Sequence, residues 1–191
     1  MKHDQRGFSL VELIVAVAII SILIGVGVRN LGVVQKYRVR ECQDKLINAI
    51  QAHKIDALSK SVKNGSGSQC SDVTSMDSYL EIKRDNGFYY VTSYMPGTNR
   101  ATTKISKSKA VKISYTVGGS ATEIADGTSL YIGFNRATGA FLPYTNSPSK
   151  EYIEEIAVGY DGSNSGSVSN YAYGRFVKLQ GQTGKILRIT K

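Results

Sequence analysis

The sequence predicts an α+β fold: one long N-terminal helix, an apolar anchor followed by an amphipathic spine, packed on an antiparallel β-sheet head. Three observations predict it. Residues 8–28 are a 21-residue run whose one ionisable side chain is Glu12. Apolar residues then recur every three or four positions as far as Ala57, and beyond Gly65 the pattern shortens to alternating strands broken by Gly, Asn and Ser. The 191 residues are 41% hydrophobic with a mean hydropathy of −0.18, which reads as an ordinary soluble domain until that apolar run is separated from the rest. Three Pro, two Cys and 19 Gly without a fixed period exclude collagen-like, disulfide-dense and low-complexity proteins.

Residues 1–7 (MKHDQRG) form a short polar leader with Lys2 and Arg6 against Asp4. The run at 8–28 is long enough to cross a bilayer core of ~30 Å at about 1.5 Å per helical residue. A secretory signal peptide would have a shorter apolar region and a small-residue cleavage site, whereas this run continues into a charged helical pattern. Glu12 stands out, because a carboxylate at mid-membrane costs on the order of 2.5–3.5 kcal/mol and calls for a partner. An interfacial Glu12 solvated by headgroups is the plainer alternative.

The stretch Gly7-Phe8-Ser9-Leu10-Val11-Glu12-Leu13-Ile14 resembles the type III signal of type IV prepilins and pseudopilins. The resemblance implies a pilin-like fold, cleavage by prepilin peptidase between Gly7 and Phe8, N-methylation of Phe8, and an assembly contact between Glu12 and the terminal amine of a neighbouring subunit. It also implies the partners: other pilin subunits in a homo- or hetero-polymer, the peptidase, and an assembly platform in the inner or cytoplasmic membrane. The subunit would be a single-pass membrane protein before assembly and part of a surface filament, or fimbrium, afterwards. Ser21 stands where many major pilins carry Gly, and Arg29 where many carry Pro, which favours a minor subunit. Counting cations alone, Arg29, Lys36, Arg38 and Arg40 outnumber Lys2 and Arg6 and would place the C-terminal part in the cytoplasm. The family topology is the reverse.

Residues 29–64 form the expected spine, part of a helix from about residue 9 to about 63. Val39, Cys42, Leu46, Ala49, Ile50, His53 and Ala57 lie on one face. His53 reads as a packed histidine, because the other His of the chain is His3 and no ligand set lies beside it. The head, 65–191, reads as a hairpin of 79–83 and 88–92 around Asp85-Asn86-Gly87, then strands at 110–117, 130–134, 140–142, 153–159, 171–179 and 185–190. Ile132-Gly133-Phe134-Asn135, Thr138-Gly139 and the terminal Thr183-Gly184-Lys185-Ile186-Leu187 look similar to the C-terminal pattern of H-type pseudopilins of type II secretion and of related minor pilins.

Cys42 and Cys70 can be read as one disulfide pinning a loop to the spine, a closure worth roughly 3 kcal/mol, or as two reduced thiols. No phosphate loop, nucleophile elbow, Cys-His arrangement or metal cluster is present in the sequence, so neither an enzyme nor a cofactor is expected. The charge of +9 is concentrated in 83–112 and in the tail. The tail cations Arg175, Lys178, Lys185, Arg188 and Lys191, interleaved with Tyr171, Tyr173 and Phe176 and with Tyr115 nearby in character, make DNA a candidate partner. Complementary charge between neighbouring subunits is the plainer reading. The expected function is a structural subunit of a type IV pilus, a type II secretion pseudopilus or a competence filament. The rival from another class is a membrane-tethered extracellular binding module.

Overall fold

A computed structural model describes residues 9–59, 70–71, 76, 78–96, 101–145, 150–160 and 173–189, with the side chains of 26–31 outside that description. One helix, α1 (Leu10–Ser59), is followed by nine strands: β1 (Tyr79–Asp85), β2 (Phe88–Tyr94), β3 (Ala101–Lys104), β4 (Val111–Val117), β5 (Ser120–Glu123), β6 (Ser129–Ile132), β7 (Ile153–Tyr160), β8 (Tyr173–Gln180) and β9 (Lys185–Ile189). The chain divides into two units, Met1–Gln35 and Lys36–Lys191.

In the first unit, α1 starts on a capped turn. The Oγ of Ser9 accepts the N–H of Glu12 at 3.2 Å, and its carbonyl accepts the N–H of Leu13 at 3.2 Å. The hydroxyl of Ser21 donates back to the carbonyl of Val17 at 2.8 Å, so this hydroxyl is satisfied within its own helix. Among the described residues no helix is long and apolar enough to cross a membrane. The expected span at 8–28 lies only partly within them, since Phe8 and the side chains of 26–28 fall outside.

In the second unit the helical face at Val39, Cys42, Leu46, Ile50, His53 and Ala57 is buried, as its spacing predicts. It joins a single core with Leu80 and Ile82 of β1, Tyr89 and Val91 of β2, Leu130 and Ile132 of β6, Val111 and Ile113 of β4, Ile156 and Val158 of β7, and Val177 and Leu179 of β8. Polar bonds tie the helix to the strands around that core. Gln43 Nε2 donates to the Phe176 carbonyl at 3.0 Å, Lys54 Nζ to the Gly184 carbonyl at 2.7 Å, and Asp44 pairs with Arg188 at 2.9 Å.

The strands form two antiparallel sheets, β3-β2-β1-β6 and β5-β4-β7-β8-β9. The β1–β2 hairpin turns on Asn86 and Gly87, both at positive φ (51° and 79°), the two-residue geometry an Asn-Gly pair favours. A triad spans the sheets: Glu123 Oε1 accepts Arg84 Nη1 at 2.9 Å and Lys112 Nζ at 2.8 Å.

Three expectations are corrected. The strand at 140–142 shrinks to one bridge, Phe134 with Phe141, because its backbone bonds go to separate segments: Phe141 N–H to Gly181, Leu142 N–H to Gly133. The strands β3 and β5 were not expected; β3 is exposed along its length and β5 nearly so, and neither shows an apolar alternation. No disulfide joins Cys42 to Cys70, since both are free, buried thiols. Cys42 lies in the core on the helix, whereas the Cys70 Sγ accepts the Gly133 N–H at 3.3 Å and donates to the Leu142 carbonyl at 3.5 Å. The two sulfurs are committed to different surroundings. Residues 60–63, 171–172 and 190, also expected in elements, lie outside the described residues.

Candidate functional site

The first unit carries the candidate site. From Leu10 to Ile24, eleven large aliphatic side chains are exposed, ranging from Leu10 at 75% to Val15 at 51%. They occupy positions 10, 11, 13, 14, 15, 17, 19, 20, 22, 23 and 24, which cover every side of a helix at 3.6 residues per turn. Burying a side chain of this kind is worth about 1.5–3 kcal/mol, so together they represent on the order of 15–30 kcal/mol of unmet burial. That exceeds the net stability of a typical domain, about 5–15 kcal/mol. A helix apolar all round requires lipid or other helices as its solvent.

Glu12 is the one acid in the first turn of α1 and is exposed. It stands at the third helical position, where a carboxylate meets the positive end of the helix dipole. Gly7 and Phe8, the expected cleavage and methylation residues, lie outside the described residues. Sequence reading missed Ser9, although Ser9-Leu10-Val11-Glu12 has the Ser-x-x-Glu spacing of a capping box.

The tail cations divide between the two faces of the five-stranded sheet: opposite Leu187 and Gln180, Lys178 and Lys185 share one face, while Arg188, opposite Val177, shares the other with Arg175. Arg175 and Lys178 are three apart in β8 and so point to opposite faces. Arg175 Nε donates to the Tyr173 hydroxyl at 2.8 Å, and Lys36 Nζ lies 5.6 Å from the same ring. Arg188 is held by Asp44. Lys178 and Lys185 are exposed, and Lys191 lies outside the described residues. The aromatic partners are dispersed, Tyr115 bonding Tyr144 hydroxyl to hydroxyl at 3.1 Å.

His53 is buried with Nδ1 2.8 Å from Ser93 Oγ and its ring 6.1 Å from Phe134. Burial lowers its pKa to about 4, against a smaller opposing pull from Asp56. Glu41 accepts from Lys107 at 2.8 Å and from Lys45 at 3.1 Å; the Lys107 hydrogen bond holds its carboxyl below the ordinary value. Among the described residues no group of three His, Cys, Asp or Glu side chains is placed to hold a metal.

Residues 2–28 match the family described as the prokaryotic N-terminal methylation motif. The chain therefore carries a type IV prepilin-like type III signal, and its helix followed by antiparallel sheets is consistent with a pilin-like fold. The signal points to a type IV pilin-like or pseudopilin-type subunit, a structural role that implies assembly with other such subunits. It also suggests a membrane-anchored precursor and display on a filament surface. No curated protein and no solved structure matches the chain.

Proposed function

We propose that the chain is a minor pilin or pseudopilin, cut by prepilin peptidase between Gly7 and Phe8, N-methylated at Phe8, and assembled into a filament through its N-terminal helix. One observation carries the reading: within the methylation motif matched at 2–28, the helix from Leu10 to Ile24 is exposed and apolar on every side, with Glu12 as the acid of its first turn. Cleavage would create a positive amine at Phe8, and a carboxylate one turn into the helix supplies the opposite charge for a neighbouring copy. In a water-poor bundle such a pair is far stronger than at a surface and also fixes axial register. The same helix spans the membrane before assembly and forms filament core afterwards.

The test is co-expression with a prepilin peptidase and mass spectrometry of the mature N-terminus. The expected product begins at N-methyl-Phe8. Retention of Met1 to Gly7 would instead leave a tethered binding module that does not polymerise. Arg175 bonds Tyr173 and Arg188 pairs with Asp44, both on the face opposite Lys178 and Lys185, so the four cations do not form one basic surface for DNA.

A further inference from the structure

We infer that the outward face of the four-stranded sheet carries a binding groove for a neutral oligosaccharide, centred on Glu81 and Tyr90. Leu80 and Ile82 of β1 and Tyr89 and Val91 of β2 turn into the core, so the alternate residues of both strands turn away from it. On that outward side Glu81, Lys83, Asp85, Tyr90, Thr92 and Thr102 line an open depression of about 470 Å³. The register orders them. Glu81, Thr92 and Thr102 stand in one row across β1, β2 and β3, and Lys83 and Tyr90 stand in the next, with Lys104 beyond. Strands lie about 4.8 Å apart and same-face residues about 6.8 Å apart, so an acid, an ammonium, two hydroxyls and a ring rise from backbone positions within about 12 Å of one another.

The lining selects the ligand. Glu81 and Asp85 against Lys83 leave no positive excess, although the whole chain carries +9, so nucleic acid and other polyanions are disfavoured. No aliphatic side chain lines the groove, which removes a lipid or the apolar face of a helix. An extended peptide gains its main-chain bonds along a sheet edge, whereas this groove lies across the face. An uncharged molecule with many hydroxyls and one apolar side is left, and a pyranose ring is such a molecule. Its C–H face packs on the Tyr90 ring; its hydroxyls donate to the two carboxylates and accept from Lys83 and the Thr hydroxyls. The charges are uncommitted: among the described residues none of Glu81, Lys83 and Asp85 enters an ion pair, and Glu81, which accepts the Ser129 hydroxyl at 2.7 Å, has capacity for further donors. Lys104 is held instead against Phe88, 3.3 Å from the ring centroid. In the row on the other side of Glu81 and Thr92, Tyr79 stacks on Tyr94 at 4.8 Å, and Tyr131 meets Tyr79 edge-on at 5.6 Å. This aromatic patch extends the groove beyond the length of one sugar unit.

The experiment is isothermal titration of the full chain, held in polyoxyethylene-ether micelles that contain no sugar, with cellohexaose, maltohexaose, chitohexaose and mannohexaose. At least one of the four binds saturably, and more tightly than its own disaccharide. Glu81→Gln keeps the side-chain shape and an acceptor for Ser129 but loses the charge, and it weakens binding about 10-fold, the change that one charge-assisted hydrogen bond makes. Tyr90→Ala weakens binding at least as much, while Lys178→Ala on the five-stranded sheet leaves the affinity as it is. Urea midpoints confirm that each variant is folded; if Tyr90→Ala is not, Glu81→Gln decides alone. The inference is overturned if none of the four hexasaccharides binds, if the folded groove variants bind as tightly as the wild type, or if oligothymidylate or polygalacturonate displaces the bound sugar and so shows that the groove takes a polyanion.

Discussion

The backbone N–H of Ile113 donates to the phenol oxygen of Tyr89 at 3.0 Å, and that hydroxyl donates onward to the carbonyl of Ile124 at 3.2 Å. Tyr89 is fully buried in β2, and its own N–H and C=O bond the Ser106 hydroxyl at 2.8 Å and the Ile105 N–H at 2.9 Å. One residue of the four-stranded sheet therefore satisfies backbone groups of the five-stranded sheet and of the segment between them. Tyr89→Phe keeps the ring but leaves the Ile113 N–H buried without its acceptor. The expected cost is about 1–3 kcal/mol. Urea unfolding followed by tyrosine fluorescence, workable with 12 Tyr and no Trp, should show a lower midpoint at unchanged m-value. A midpoint equal to wild type would mean that the bond contributes nothing.

Stability of the second unit should fall in mild acid because of His53. Its pKa is lowered from 6.5 to about 4 by burial, so between those values the unfolded chain binds a proton that the folded chain does not. The contribution is complete above pH 6.5 and is lost progressively as the pH falls toward 4, a span of about 3 kcal/mol. His53→Phe should flatten that part of the pH profile. Unfolding midpoints of both proteins at pH 7.5 and 5 check it; equal slopes for the two would sink the assignment.

Gly184 and Gly119 both hold positive φ, at 63° and 77°, but only Gly184 has backbone pressed against it. A Cβ on Gly184 would overlap the Gly139 carbonyl, whereas one on Gly119 would meet nothing within 4 Å. Gly119→Ala should therefore cost only the left-handed strain of about 1–2 kcal/mol. Gly184→Ala must also push apart the β8–β9 turn and the 133–145 segment, and should cost more than about 4 kcal/mol. Thermal unfolding of the two variants separates strain from collision, and similar losses would show that the close approach of Gly184 to Gly139 is unimportant.

What could be read from the sequence follows from how local each signal is. The buried face from Val39 to Ala57 and the Asn86-Gly87 turn are written within a few residues, by 3.6-residue spacing and by tolerance of positive φ. The signal at Gly7 to Ile14 is equally local, as its match at 2–28 bears out. β3 and β5 escaped because an exposed edge strand has no apolar alternation to betray it. The charge pattern left pairing open because pairing is decided far along the chain: Arg188 finds Asp44 and Lys107 finds Glu41, so these two cations, which look free in the sequence, have partners on the helix.

Cys42 and Cys70 provide the last prediction, and it separates the observed thiols from the bridge that their spacing suggested. Burial pushes each pKa up to about 12, so at pH 8 only about one thiol in ten thousand is ionised, and it is the thiolate that reacts. Iodoacetamide should leave both cysteines of the folded chain unmodified and should modify both in concentrated urea without reductant. A bridged chain would take up no label under either condition. Replacement should differ at the two sites. Cys42→Ala leaves a small apolar gap in the core, for about 1 kcal/mol or more. Cys70→Ala also takes the acceptor from the buried Gly133 N–H, adding about 1–3 kcal/mol. A larger loss at Cys70 than at Cys42 would show that the sulfur of Cys70 holds the 133–145 segment as a hydrogen-bonding thiol, a role a disulfide sulfur could not fill in full because it has no proton to give the Leu142 carbonyl.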